Sequence, residues 1–258
     1  MPTLSRSIHE VFVTKILLNL KAEAARTYLG FLWWILEPIL YVAVLYLVFT
    51  TLIPKDAQSF VAFLLCGTIP FLWFSKSIAN SANSIVEGEG LISAMAIPKA
   101  FFPLLVVFQD LSKQLVVFLL LFTFLLVYGI EPSQYWFATA TVIVCQLLFV
   151  TACSLIAALI TPFFPDFIYI VPTAILLLMF CSGLFYDYQT MIPEQYWDLF
   201  LANPMANLIN NYRLTLLDQA PPDWIALLII GLSSIVAITI ALIILRKLDT
   251  TYSRLVLQ

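Results

Sequence analysis

Charge, glycine and histidine are all scarce in this 258-residue chain. Only 10% of its residues are Asp, Glu, Lys or Arg, where a soluble domain needs about 25% charged residues to cover its surface. A water-soluble fold is excluded, and 62% hydrophobic residues point to a chain solvated largely by lipid. Glycine occurs seven times and never precedes lysine. A G-x-x-x-x-G-K-[ST] loop to cradle phosphates is therefore impossible, and the chain cannot be its own P-loop ATPase. His9 is the single histidine, which leaves histidine metal sites and Ser-His-Asp triads with almost nothing to work with. Cys66, Cys145, Cys153 and Cys181 fall inside apolar runs at no metal or redox spacing, and read as small packing residues. No metal or other cofactor is expected in this chain. A net charge of −3 argues against a nucleic-acid partner.

What the chain has is long apolar runs. A helix needs about 20 apolar residues to cross a bilayer, and six runs qualify, near residues 30–53, 60–80, 101–128, 135–160, 167–186 and 224–245. They are continuously apolar rather than alternating, which excludes a transmembrane β-barrel. The expected fold is all-α and integral to the membrane, with six transmembrane helices over residues 30–258 and an amphipathic interface helix over residues 1–29. Ten of the twelve basic residues lie on one side of these spans, from Arg6, Lys15, Lys21 and Arg26 through Lys76, Lys99 and Lys113 to Arg246, Lys247 and Arg254. Lys55 and Arg213 lie on the other side, with five acids between Asp187 and Asp223. Positive-inside bias therefore puts both termini in the cytoplasm. Trp136 and Trp224 open the fourth and sixth spans as outer interfacial anchors, and Trp33 and Trp34 mark the inner end of the first.

The first 29 residues lack the apolar core and small-residue cleavage site of a signal peptide. Leu4, Ile8, Phe12, Ile16 and Leu20 recur every four residues, a pattern that suits a helix lying in the cytoplasmic interface.

The remaining information lies in polar residues that lipid would reject. Glu37, followed by Pro38, sits within the first span, where an unpaired carboxylate costs about 3 kcal/mol or more, so it must face protein or water. Helix packing and a place at a pore entrance both satisfy that demand. Lys76 ends the second span, and Asp110 and Lys113 stand at i, i+3 on the third, a spacing that favours a local ion pair. Between spans two and three, Gly88 and Gly90 break the chain, Leu91 to Ile97 forms a short apolar helix and Pro98 stops it. That helix needs a partner surface or the bilayer, and its residues do not decide between them. The outer segment from Asp187 to Asp223 is too apolar for a free loop and too broken to span. Two short re-entrant helices joined at Asn203-Pro204, forming a lid over an outer opening, fit it.

Three stretches carry a resemblance. Leu29-Gly30-Phe31-Leu32-Trp33-Trp34 through Glu37-Pro38 resembles the L-G-x-L-W-x-x-x-x-P start of the first span in permease subunits of ABC-2 exporters. Gly90-Leu91-Ile92 through Ile97-Pro98-Lys99 and Phe102-Pro103 is similar to the loop between their second and third spans. Ile192-Pro193-Glu194-Gln195-Tyr196-Trp197, Asn203-Pro204 and Arg213 resemble the outer segment of the branch that exports O-antigen, capsule and teichoic acid.

The resemblance implies a homodimer in a bacterial inner membrane, with two cytoplasmic P-loop ATPase subunits supplying ATP and Mg chemistry and a polysaccharide or lipid-linked glycan as cargo. Six helices are few to enclose a sugar polymer, and two copies give twelve. By the same resemblance Glu87, Glu89, Leu91, Ile92 and Met95 are expected to couple to the ATPase, and Tyr196, Trp197, Asn203, Pro204 and Arg213 to form an outer gate. Trp34, Glu37 and Tyr41 on the first span, and Tyr169, Thr173 and Phe180 on the fifth, share faces by helical spacing and are expected by analogy to line the conduit. Ordinary helix packing would place the same aromatics there. An ABC-2 permease for a small lipid, drug or haem-related cargo is the nearest alternative. An integral-membrane glycosyl- or acyltransferase would need clustered acids or histidines, and no such cluster stands out.

Overall fold

The computed structural model describes residues 2–25, 28–52, 57–94 and 97–256. Its helices are α1 (Pro2–Ala25), α2 (Trp33–Leu52), α3 (Ala57–Ala82), α4 (Ser84–Glu87), α5 (Glu89–Ala94), α6 (Phe101–Val127), α7 (Thr139–Ile160), α8 (Phe167–Phe180), α9 (Tyr188–Met191), α10 (Trp197–Leu201), α11 (Pro204–Leu216), α12 (Trp224–Lys247) and α13 (Asp249–Val256). Short 3₁₀ turns precede α2, α7 and α10, and no strand occurs among the described residues. Four helical stretches, Phe60–Ala82, Phe101–Val127, Gln134–Ile160 and Trp224–Lys247, are long and apolar enough to cross a membrane. Even the shortest, at 23 residues, reaches about 35 Å at 1.5 Å per residue, more than the hydrocarbon thickness. The chain is an all-helical, multi-pass membrane protein.

Two local expectations shift. The apolar run of residues 167–186 ends as a helix at Phe180, and α8 has 14 residues, about 21 Å. Its apolar pattern continues through Leu184, Phe185 and Tyr186, but Gly183 at φ +67° turns the backbone, a conformation that costs a glycine little. The short helix after α4 begins at Glu89 and takes in Gly90, so of the two glycines only Gly88 separates helices. Gly88 is placed by packing, since a Cβ there would overlap the Phe102 ring. Gly30, in the Leu29-Gly30 motif, has φ +52°, and a Cβ would press against the Ala24 carbonyl at 3.3 Å. Its left-handed backbone opens the 3₁₀ turn that leads into α2.

Lipid is as apolar as leucine, so helices in a membrane associate through close packing and hydrogen bonds rather than through burial from water. The chain's small residues are placed accordingly. Helix α7 buries Ala152, Ser154, Ala157 and Ala158 and packs against α3, α6 and α12. Three apolar clusters follow along the bundle. At the end bearing α1 and α13, called here the basic end, Ile85, Ile92, Phe101, Phe102, Leu105, Leu155, Leu245 and Tyr252 pack together. Phe12 of α1 meets the rings of Phe101 and Phe108 edge-on at 5.4 and 5.8 Å, which docks α1 on α6. Val13, Leu17 and Leu18 of α1 remain exposed. At the opposite, acidic end, Leu208, Tyr212 and Leu216 of α11 sit among Trp73, Phe118 and Leu227.

Candidate functional site

A polar cleft opens at the basic end between α1, α2, α3 and α6, with Lys113 as its hub. Asp110 and Lys113 share a face of α6 one turn apart, and their Oδ1 and Nζ lie 2.9 Å apart. Nζ also lies 3.2 Å from both carboxylate oxygens of Glu23 on α1 and 6.0 Å from the centre of the Trp34 ring. The network continues in both directions. Gln109 Nε2 donates to Glu23 Oε2 at 3.2 Å, Asn19 Nδ2 donates to Gln109 Oε1 at 3.2 Å, and Asn80 Nδ2 donates to Asp110 Oδ2 at 3.3 Å. Across the cleft Lys76 pairs with Glu37. Two adjoining hollows share Glu23, Asp110 and Lys113. One, open to its surroundings, spans about 550 Å³ beside Trp34, Glu37 and Gln114, and the other, also open, about 1180 Å³ beside Asn19, Asn80, Asn83 and Gln109. Amides, carboxylates and the indoles of Trp34 and Trp73 give the cleft hydrogen-bonding groups that match hydroxyls and a ring face that can stack.

Also at the basic end, the α4–α5 connection buries Ile92 and half-buries Leu91, Glu89 faces outward, and Glu87, at the rim of the larger hollow, accepts from Asn83 Nδ2 at 3.1 Å. It thus presents a small acidic surface on a fixed apolar footing. Lys99, just beyond it, is 4% exposed.

The acidic end is organised around α11. Asn203 caps it, accepting from Met205 N at 3.0 Å, and Pro204 occupies the first turn, the pairing that favours a helix start. The Asn203 amide also donates to Cys181 O and Ser182 Oγ, both at 3.1 Å, and so ties the start of α11 to the end of α8. Ten residues of α11 are buried. Arg213, 8% exposed, donates from its Nη1 and Nη2 to the carbonyls of Gly183 and Leu184 at 2.9 and 3.0 Å. Its guanidinium lies 3.4 Å from the centre of the Phe63 ring, a close cation–π contact. Gly67 leaves the space for it, because a Cβ there would come within 2.8 Å of Arg213 Nη2. Outside the bundle, the Asp218 carboxyl is pushed above its ordinary range by desolvation and then by Asp187, against the opposing pull of Arg213.

The acidic end rests on a buried polar relay. Tyr212 donates its hydroxyl to Gln146 Oε1 at 2.7 Å, and Gln146 Nε2 donates to Pro70 O at 2.8 Å. Aromatic rings then cover the turn. Tyr188 stacks on Phe200 at 5.2 Å and meets Trp197 edge-on at 5.6 Å, and Trp197 Nε1 donates to Ile192 O at 2.9 Å. Tyr196 points outward.

Among the residues anticipated from sequence, Trp34 and Glu37 face the polar cleft. The Tyr41 side chain and Met95 lie outside the described residues. Tyr169, Thr173 and Phe180 occupy an exposed face of α8, with Tyr169 at 77% exposure, and none of them lines the cleft that holds Trp34. Tyr196 is exposed and Trp197 half-buried against Tyr188, whereas Asn203 caps α11 and Arg213 is anchored inside. Cys181 is exposed at the end of α8, unlike the buried Cys66 and Cys145. Asn19, Glu23, Asn80 and Gln109 were not foreseen. Their partners are 30 to 90 positions away, and only the i, i+4 spacing of Asn19 and Glu23 on one helix face hinted at a shared role.

Residues 18–217 match the family profile described as ABC-2 type transporter. The chain is 30% identical over 219 residues to the O-antigen export system permease protein RfbA of Myxococcus xanthus, an overlap of 84% of each chain. It is 28% identical over 196 residues to the RfbA permease of Klebsiella pneumoniae, covering 76% of this chain and 75% of the relative. It is also 24% identical over 225 residues to the polysialic acid transport protein KpsM of Escherichia coli, covering 84% and 85%. The profile match alone covers more than three quarters of the sequence, and on that ground this chain belongs to the ABC-2 type transporter family.

Proposed function

We propose that the chain is the membrane subunit of an ATP-driven exporter that moves a polysaccharide, free or lipid-linked, out of the cytoplasm across a bacterial inner membrane. The observation that carries this reading is the polar cleft at the basic end. Amides and carboxylates surround it in the number a polyhydroxylated chain can use, and Trp34 adds an apolar face for a sugar ring. Its charge disfavours a phosphate as the main ligand, since Glu23, Asp110 and Glu87 face Lys113 alone once Lys76 is paired with Glu37. The names of the RfbA and KpsM relatives support the same cargo class. A small apolar drug or lipid would find few partners among these side chains.

In this reading the basic end is cytoplasmic, as the distribution of Lys and Arg requires, and both termini lie there. Helices α2 and α8 complete a set of six spans. The chain works as a homodimer, with the exposed faces of α2 and α8 turned toward the second copy and Trp34, Glu37, Tyr41, Tyr169, Thr173 and Phe180 along the conduit. The chain has no nucleotide motif, so two P-loop ATPases bind at the cytoplasmic face and hold ATP and Mg. Glu87, Glu89 and Met95 form the contact with them, on a connection that Leu91 and Ile92 seat against the bundle. The Asn203-Pro204 start of α11, with Tyr196, Trp197 and Arg213, shapes the outer exit.

Reconstitution tests the proposal. The permease and its ATPase are placed in liposomes with a cytoplasmic-side polysaccharide donor, and protected glycan is measured. Export should require both subunits and stop when the ATPase P-loop lysine is replaced. Export that continues without a functional ATPase overturns the reading, as does an intact exporter that moves a small lipid and no glycan.

A further inference from the structure

The C-terminal helix α13 lies beyond residue 217, where the family match ends, and family membership gives it no role. We propose that α13 is a strap that holds the α4–α5 connection against the bundle, so that a push on that connection reaches α6 and α7 instead of being absorbed locally. This rests on the reading above, in which the α4–α5 connection meets the ATPase.

Three contacts carry the inference. Lys99 stands between α5 and α6, and its side chain is 3% exposed. Its Nζ lies 3.6 Å from Asp249 Oδ1 in the first turn of α13 and donates to Ile97 O at 3.3 Å. The Lys99 backbone N–H donates to the same Asp249 oxygen at 3.3 Å, so one carboxylate holds both the main chain and the ammonium of the residue that enters α6. A buried ammonium demands such a partner, and a carboxylate in the first turn of a helix is favoured by the helix dipole. One turn on, Tyr252 is fully buried in the cluster that also takes Ile92 and Ile97 from the connection and Phe101 and Phe102 from α6. Its hydroxyl donates to Leu159 O at 2.9 Å and its ring meets Phe163 at 5.0 Å, which anchors the strap at the end of α7. The outward side of the connection, with Glu89 and Ser93 exposed, faces away from the bundle. A connection of two short helices with glycines at 88 and 90 would yield under load without such a brace.

The test uses full-length permease assembled with its ATPase. Ser93→Cys, on the exposed side of α5, is first cross-linked to the ATPase with a short bifunctional maleimide. Asp249→Asn, Tyr252→Phe and the conservative Asp249→Glu are then compared by ATP hydrolysis of the purified complex and by periodate-oxidisable carbohydrate on the surface of cells carrying each variant. We expect the cross-link to persist, hydrolysis to stay within twofold, and surface carbohydrate per unit of hydrolysis to fall at least fivefold in Asp249→Asn and Tyr252→Phe, with most of it restored in Asp249→Glu. A retained cross-link with an unchanged ratio in both variants overturns the strap while leaving the ATPase contact standing. So does a loss of assembled complex at constant ratio, which is what a merely structural helix would give. No cross-link in the parent complex, or surface carbohydrate that does not depend on the permease, overturns the underlying reading and the strap with it.

Discussion

Arg213 gives the sharpest energetic test, because lysine at that position keeps the charge and removes the geometry. The guanidinium serves two carbonyls at once, Gly183 O at 2.9 Å and Leu184 O at 3.0 Å, while lying against the Phe63 ring at 3.4 Å. A single ammonium cannot reproduce that planar fork. Arg213→Lys therefore loses one charge-assisted hydrogen bond, about 1.5–3 kcal/mol, and most of a desolvated cation–π contact, about 1–2 kcal/mol. It still carries the cost of burying a charge. The expected loss is roughly 3 kcal/mol, which at about 2–4 °C per kcal/mol for a chain of this size lowers the melting temperature by ~6–12 °C. Arg213→Met also gives up both hydrogen bonds but is relieved of the buried charge, so it should be no less stable than the lysine variant. Fluorescence-detected size-exclusion after heating measures both in detergent. Amide exchange at Cys181 and Ser182, whose N–H groups donate to Leu177 O and Met179 O, should speed up at least tenfold in Arg213→Lys, because the turn after α8 loses its anchor. A lysine variant that melts within 2 °C of the parent and keeps its exchange pattern would refute the claim that Arg213 holds this turn.

Gly88→Ala places a methyl group into the Phe102 ring at a backbone angle any residue accepts, φ −77°. The cost is overpacking alone, about 1–3 kcal/mol, and the fall in melting temperature should largely reverse in Gly88→Ala/Phe102→Leu. For the relay from Tyr212 through Gln146 to Pro70, a double-mutant cycle of Gln146→Leu and Tyr212→Phe should give a coupling energy of about 0.6–1.7 kcal/mol, between the average and the maximum for hydrogen bonds joining membrane helices, and a value near zero would disprove the relay. Glu37→Gln breaks a pair whose side chains are 44% and 57% exposed, so stability should change by less than about 1 kcal/mol. Glycan export in the same variant should fall at least threefold if Glu37 borders the cargo path, which transport in liposomes would measure.

How far the fold could be read in advance depended on the distance over which each signal acts. Four of the anticipated spans coincide with long apolar helices because a run of twenty apolar residues is a local property. The Asp110–Lys113 pair was legible for the same reason, as was the helix start at Asn203-Pro204, where the cap and the proline are adjacent. The length of α8 was not legible. Its apolar pattern runs on through Tyr186, and the helix ends early where a left-handed glycine meets an arginine thirty residues further along. Arg213 stood out as a charge on the wrong side, but its partners are backbone carbonyls, which every residue offers and no side-chain pattern marks. The cleft was hidden more deeply still, since Glu23 and Lys113 are 90 positions apart and no local pattern joins the first helix to the third span. In water, apolar residues would have named the interior. In lipid they name only the solvent, and the packing information passes to the small and polar residues. The few hydrogen-bonding side chains among the described residues therefore do two jobs, joining the helices and lining the polar cleft between α1, α2, α3 and α6.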